Sequence, residues 1–284
     1  MSESESGQQS PLNTCGFAAK RYLDGAVWEE LVHVLETEQA AFLTREPSFR
    51  SKAYRWPRDP LRTWSRIWEY PYVFHNLRRI IGSPVNGTPA VMDFGSGVTF
   101  FPFLLAKLGC NVTCIDTDPV CVHDLEAASS VFPERGANIH PILSGGGELP
   151  VASSSMDIVY TISVVEHIPD YASTIDELAR VTRQDGYLLL TLDIDMRGGS
   201  ELSADAFEKF QAALGQCFEP ALPNAVVHPL ECLTTANSIY PIPSGGPLRI
   251  AKELAKAWSR RTWPMGDLRV APLLTVYCGV YKRK

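Results

Sequence analysis

The residues Asp93-Phe94-Gly95-Ser96-Gly97 combine the types and spacing that chemistry at a bound group would need. The apolar run Val91-Met92 ends in an acid, and two glycines follow at spacing two. Glycine has no Cβ to forbid positive φ or to hold a ligand away, so the pattern describes a strand entering a tight turn whose backbone approaches a ligand. Roughly 20 residues on, a second apolar run, Val112-Thr113-Cys114-Ile115, again ends in an acid, Asp116. A glycine turn with a carboxylate at the tip of the next strand suits a nucleoside, the carboxylate accepting from the ribose hydroxyls. The blander alternatives are a βα turn without a ligand, and Asp116 as a helix cap. Asp118 fits that cap better, because Pro119 follows it at the first helical position. The third glycine of a dinucleotide fingerprint is missing, since Val98, Thr99 and Phe100 follow Gly97.

A third strand pattern, Met156-Asp157-Ile158-Val159-Tyr160-Thr161-Ile162, leads into Ser163-Val164-Val165-Glu166-His167-Ile168. Together these stretches resemble the class I S-adenosylmethionine-dependent methyltransferases of the small-molecule branch. Asp93 to Gly97 resembles the glycine-rich first motif and Asp116 the ribose acid. Leu149-Pro150 and the run through His167 resemble the fourth strand and its following motif. Glu177 to Val181 and Asp185 to Leu190 resemble the next helix, turn and strand. The resemblance covers roughly 88–194. It departs from the family at Thr99, where many members have glycine, and at 144–148, where many carry an acid for adenine.

The resemblance implies S-adenosyl-L-methionine as cofactor, bound by Asp93, Gly95, Ser96, Gly97, Asp116, Thr117, Gly146, Glu148 and Ser163. It implies methyl transfer to an O or N atom of a small molecule by in-line displacement, which requires alignment more than a protein nucleophile. Histidine side chains in general exchange protons near neutrality, so His167 suits proton removal or only shapes the pocket. Glu166 is its catalytic companion or orients the cofactor or a neighbouring loop. Some relatives hold a divalent ion with such a pair and an earlier Glu; Ser163 stands there in this chain, so no metal is expected. The rival functions are an aminopropyl transferase-like enzyme on the same scaffold and an inactive S-adenosylmethionine-binding regulatory protein. Arg249, Lys252, Lys256, Arg260 and Arg261 follow a glycine turn and suit an anionic substrate or a solvated basic face.

The chain has 284 residues, 45% hydrophobic and 20% charged, as in ordinary globular proteins. Its net charge of -6 argues against a general nucleic-acid partner. Seven cysteines without a CxxC pair read as reduced thiols of a cytoplasmic protein. Neither a secretory signal nor an apolar run long enough for a bilayer is evident, so no membrane association is expected.

Alternating strand and helix patterns predict an α/β fold: a Rossmann-like doubly wound, mostly parallel sheet. The resemblance makes it seven-stranded, with an antiparallel last strand. Strands are expected near 89–94, 111–116, 138–143, 157–163, 186–193 and 273–281, and helices near 26–42, 100–108, 118–130, 171–183 and 204–214. A disordered tail is expected over 1–15 and a helical, aromatic-rich N-terminal cap over 16–87. The methyltransferase domain takes 88–284, with an insertion at about 237–266 that includes a helix near 247–258. All six tryptophans, Trp28, Trp56, Trp64, Trp68, Trp258 and Trp263, fall outside the alternating core. They either cover the substrate opening, with Tyr70 and Tyr72, or bury area against the sheet or a second copy in a homodimer.

Overall fold

The computed structural model describes residues 10–56, 58, 60–82, 87–197, 202–241 and 273–284. In chain order its elements are β1 (Gly16–Phe17), α1 (Ala26–Thr44), α2 (Arg66–Ile81), β2 (Ala90–Phe94), α3 (Phe101–Lys107) and β3 (Asn111–Asp116). Next come α4 (Pro119–Val131), α5 (Pro133–Gly136), β4 (Ile139–Leu143), β5 (Met156–Ile162), α6 (Tyr171–Val181) and β6 (Thr182–Asp195). The last are β7 (Leu202–Ser203), α7 (Ala204–Cys217), β8 (Phe218–Pro220) and β9 (Leu274–Arg283).

One mixed sheet runs β1-β9-β6-β5-β2-β3-β4. Strands β2 to β6 are mutually parallel, and β9 is antiparallel to β6 through nine paired residues, Tyr187↔Lys282 to Asp195↔Leu274. This is the expected doubly wound sheet with its antiparallel last strand. The lane outside β9 is divided. β8 pairs with Tyr281 to Arg283, and β1 pairs with Tyr277 and Cys278.

One face carries α1, α2, α3 and α4, with Trp28, Leu35, Trp68, Phe74, Phe101 and Phe103 in its core. The other carries α6 and α7, with Ile175, Leu178, Phe210 and Leu214. Side-chain caps set several helix starts. Asp118 accepts from the Val120 N–H ahead of Pro119, and Ser203 accepts from Ala206.

Helix α2 contains Pro71, which cannot donate to the Ile67 carbonyl one turn earlier. The Trp28 indole donates to that carbonyl at 2.9 Å, and the Trp28 ring stacks on Trp68 at 4.3 Å. A proline-punctuated aromatic stretch therefore becomes a buried helix, because a tryptophan on α1 supplies the missing donor.

Residues 10–15, expected to belong to a disordered tail, are packed against the fold. Leu12 and Cys15 are buried, the Tyr72 hydroxyl donates to the Thr14 carbonyl at 2.8 Å, and the Asn76 amide donates to Leu12 at 2.9 Å. Leu12 is apolar and Thr14 and Leu12 offer backbone acceptors to α2, so residues 10–15 are part of the fold. The helix expected near 247–258, the basic residues Arg249 to Arg261, Trp258 and Trp263 lie outside the described residues. Among the described residues no helix is long and apolar enough to cross a membrane.

Candidate functional site

The glycine turn after β2 is locked to the tip of β3 by backbone groups. Gly95 and Ser96 both donate to the Ile115 carbonyl, at 2.9 and 3.1 Å. Gly97 N–H donates to Asp116 Oδ2 and Asp118 N–H to Asp116 Oδ1, each at 2.8 Å. Each Asp116 oxygen keeps lone-pair capacity for a further donor. The two glycines serve different ends. A Cβ on Gly95 would lie 2.6 Å from the Val164 methyls, so Gly95 lets the loop after β5 close onto the turn. A Cβ on Gly97 would meet nothing within 4 Å; its φ of +52° is what favours glycine there.

Asp93 is buried behind this turn. Burial pushes its pKa up to about 7, the Tyr160 hydroxyl opposes the rise, and Asp116 adds to it. Thr117 is exposed at the tip, and Ser96 is buried with its hydroxyl toward the Gly97 carbonyl at 3.3 Å. Beyond β4, Ser144 N–H donates to the Asp116 carbonyl at 2.8 Å, which holds the 144–148 loop at the same edge of the sheet. Gly146 there has φ +82° and donates to the Ser144 hydroxyl at 3.3 Å, while Glu148 is exposed within electrostatic reach of Arg180.

The ends of β5 and β6 carry a second group of polar side chains. Glu69, fully buried on α2, accepts from Ser65 at 2.7 Å, Arg66 at 2.6 Å and Thr191 at 2.7 Å, and also from Ser163. Burial alone would raise its pKa; Arg66 and the three hydroxyls outweigh that and hold it below the usual carboxylate range. Ser163 itself sits at φ +51°. Glu166, also buried, is in the opposite state. Burial and then the Asp193 charge push its pKa well above the ordinary value, although its Oε1 accepts from the Asp193 N–H at 3.0 Å. Its Oε2 has no hydrogen-bond partner among the described residues. His167 is exposed on the same short turn, its backbone N–H bonded to Val164 at 3.0 Å.

The structure thus joins Asp93, Gly95, Ser96, Gly97 and Asp116 in one turn, and ties Ser163 and Glu166 to the neighbouring strand β6. Glu69 and Asp193 were not found from sequence. A lone acid inside the aromatic run Trp68-Glu69-Tyr70-Pro71-Tyr72 was the available signal, since an unpaired carboxylate is almost never buried there. Of the described tryptophans, Trp28, Trp64 and Trp68 are buried in the core and Trp56 is exposed. Tyr72 faces Thr14, and Tyr70 stacks on Phe100 at 5.6 Å, beside the glycine turn.

A methyltransferase domain family matches residues 92–190. An uncharacterized methyltransferase of Mycobacterium sp. (strain JLS) is 30% identical over 118 residues, 41% of this chain and 44% of that protein. One from Mycobacterium leprae (strain TN) is 30% identical over 123 residues, again 41% and 44%. The match therefore spans less than half the length of either relative. The crystal structure of the cyclase SpnF superposes with TM-score 0.51 at 13% identity, covering 89% of this chain and 96% of that one, a likeness of fold. The matched stretch, which runs from β2 into β6, is similar to a methyltransferase domain, and the sheet around it is mostly parallel with β9 antiparallel.

Proposed function

We propose that the protein is an S-adenosylmethionine-dependent methyltransferase that methylates an O or N atom of a small molecule. The observation that carries this reading is Asp116. Two backbone N–H groups fix its carboxylate at the strand tip, and both oxygens retain acceptor capacity. Asp116 would accept from the ribose hydroxyls, Gly97 leaves its side open, and buried Asp93 would accept from the ammonium of the methionine part. A cation there would relieve the desolvation that raises the Asp93 pKa. Gly95, Ser96, Thr117, Gly146, Glu148 and Ser163 complete the cofactor assignment.

Bound in this place, S-adenosylmethionine supplies an activated methyl group. The chain's own work is to align the acceptor and keep water out, and alignment alone contributes roughly 7–11 kcal/mol. A proton leaving the acceptor would pass to His167 at the rim. Burial and the Asp193 charge raise the pKa of Glu166, which favours its protonated form and makes it a companion to His167 rather than the first proton acceptor. The anionic-acceptor reading rests on the sequence of the basic residues Arg249 to Arg261, and the homodimer reading on the six tryptophans outside the alternating core. Seven free thiols, five of them buried, support a cytoplasmic location.

The test is calorimetry with S-adenosylhomocysteine, followed by methyl-transfer assays on panels of hydroxyl and amine acceptors. Micromolar or tighter binding with turnover of one panel is expected. Binding without turnover of any acceptor favours the regulatory alternative, and absence of binding sinks the reading.

A further inference from the structure

Residues 45–56 cross the open side of the glycine turn and are fastened on both flanks. Arg50 donates to the Val98 carbonyl at 3.1 Å and to Glu46 at 2.8 Å, and its guanidinium lies 4.0 Å from the Tyr54 ring centre. Ser51 N–H donates to Asp124 on α4 at 3.0 Å. The segment ends at Trp56, whose indole N–H donates to Asp118 Oδ2 at 2.9 Å. Asp118 is the residue whose own N–H holds Asp116.

Trp56 is the one aromatic among the exposed large apolar side chains of the described residues, with 55% of its surface open. Its polar edge is satisfied by Asp118, so the surface left open is mainly ring. A second exposed apolar side chain, Leu143 at 49%, pairs in register with Asp116 at the end of β4. Two uncovered apolar groups therefore stand near the ribose carboxylate, one fixed by a hydrogen bond and one by the sheet. Tryptophan is enriched at contact surfaces because its ring is apolar and its N–H is polar, and a nucleobase offers a flat π-face to match.

We propose that Trp56 is the aromatic wall of the nucleoside site, on which the base of the bound nucleoside stacks. This inference rests on the nucleoside reading of Asp116 and adds a contact from outside the matched domain. It makes cofactor affinity depend on the N-terminal segment as well as on the motifs after residue 90.

The experiment titrates S-adenosylhomocysteine and 5′-methylthioadenosine into the full chain, as wild type, Trp56→Ala and Trp56→Phe. Trp56→Ala should weaken both ligands about tenfold. Trp56→Phe keeps a ring and loses the indole N–H, and should bind within about threefold of wild type. Ligand should also shift tryptophan emission in the wild type and lose that component in Trp56→Phe. Wild-type affinity in Trp56→Ala overturns the proposal. So does equal weakening in both variants, which assigns the effect to the bond with Asp118. If the wild type binds neither ligand, the nucleoside reading fails and this inference falls with it; binding that ignores Trp56 sinks the inference alone.

Discussion

The half of the site around β2 and β3 and the half around β5 and β6 are built in different ways. The first is made of backbone donors close in sequence: Gly97 reaches Asp116 across 19 positions, and Asp118 reaches it across two. The second is made of side chains brought from afar: Glu69 meets Ser163 across 94 positions and Thr191 across 122. The first half presents acceptors with spare capacity; in the second, Glu69 is saturated with donors that lower its pKa, while burial and Asp193 raise that of Glu166. A motif can specify the first half by itself, whereas the second exists only when α2 is docked.

The contrast predicts that the second half governs stability and the first governs binding. Glu69→Ala should have the largest effect, a loss of about 3–5 kcal/mol, because Arg66 and three hydroxyls lose their common acceptor. Denaturant melts would measure it, and a loss under 1 kcal/mol would dissolve the contrast. Deleting residues 1–15 should come next, at about 2–4 kcal/mol, since it removes buried Leu12 and the acceptors of Tyr72 and Asn76.

Asp116→Ala should leave the melt nearly intact and weaken S-adenosylhomocysteine by at least the roughly 1.5–3 kcal/mol of a charged hydrogen bond. Asp93 gives a smaller, pH-dependent effect. Its folded pKa of about 7 lies above the ordinary value, so as pH falls through 7 the carboxylate takes a proton before it can hold an ammonium. Affinity should drop by up to tenfold per pH unit below 7, and Asp93→Asn should bind weakly at every pH. The same shift means that the ionised carboxylate costs the fold stability as pH rises from about 4 to 7, a cost that Asp93→Asn removes. The smallest effect should be partial rescue of Gly95→Ala by Val164→Ala. Trimming Val164 relieves the 2.6 Å contact but not the +76° φ, and a double-mutant cycle in melts would read the coupling.

This division also explains what was legible in the sequence. The places of the parallel strands and the glycine turn followed from local patterns, because such strands and their turns write themselves in contiguous residues, whereas the antiparallel setting of β9 came from the family resemblance. Asp193 left no local pattern and Glu69 only a lone acid in an aromatic run, since each meets its partners far along the chain. Helix α2 was obscured by Pro71, whose lost hydrogen bond is compensated by Trp28. The role of Leu12 was hidden for the same reason, one apolar residue in a polar stretch having no periodicity to read.

The divided lane outside β9 bears on how the molecule is made. Gly16 pairs with Cys278, and Cys15 bonds Val280 across 265 positions. During synthesis, the segment around Cys15 waits for a partner made 265 positions later, because β9 must first lie down against β6. Chaperone protection would therefore matter most in that interval, while Leu12, Cys15 and the faces of α2 that receive them are still open to other chains.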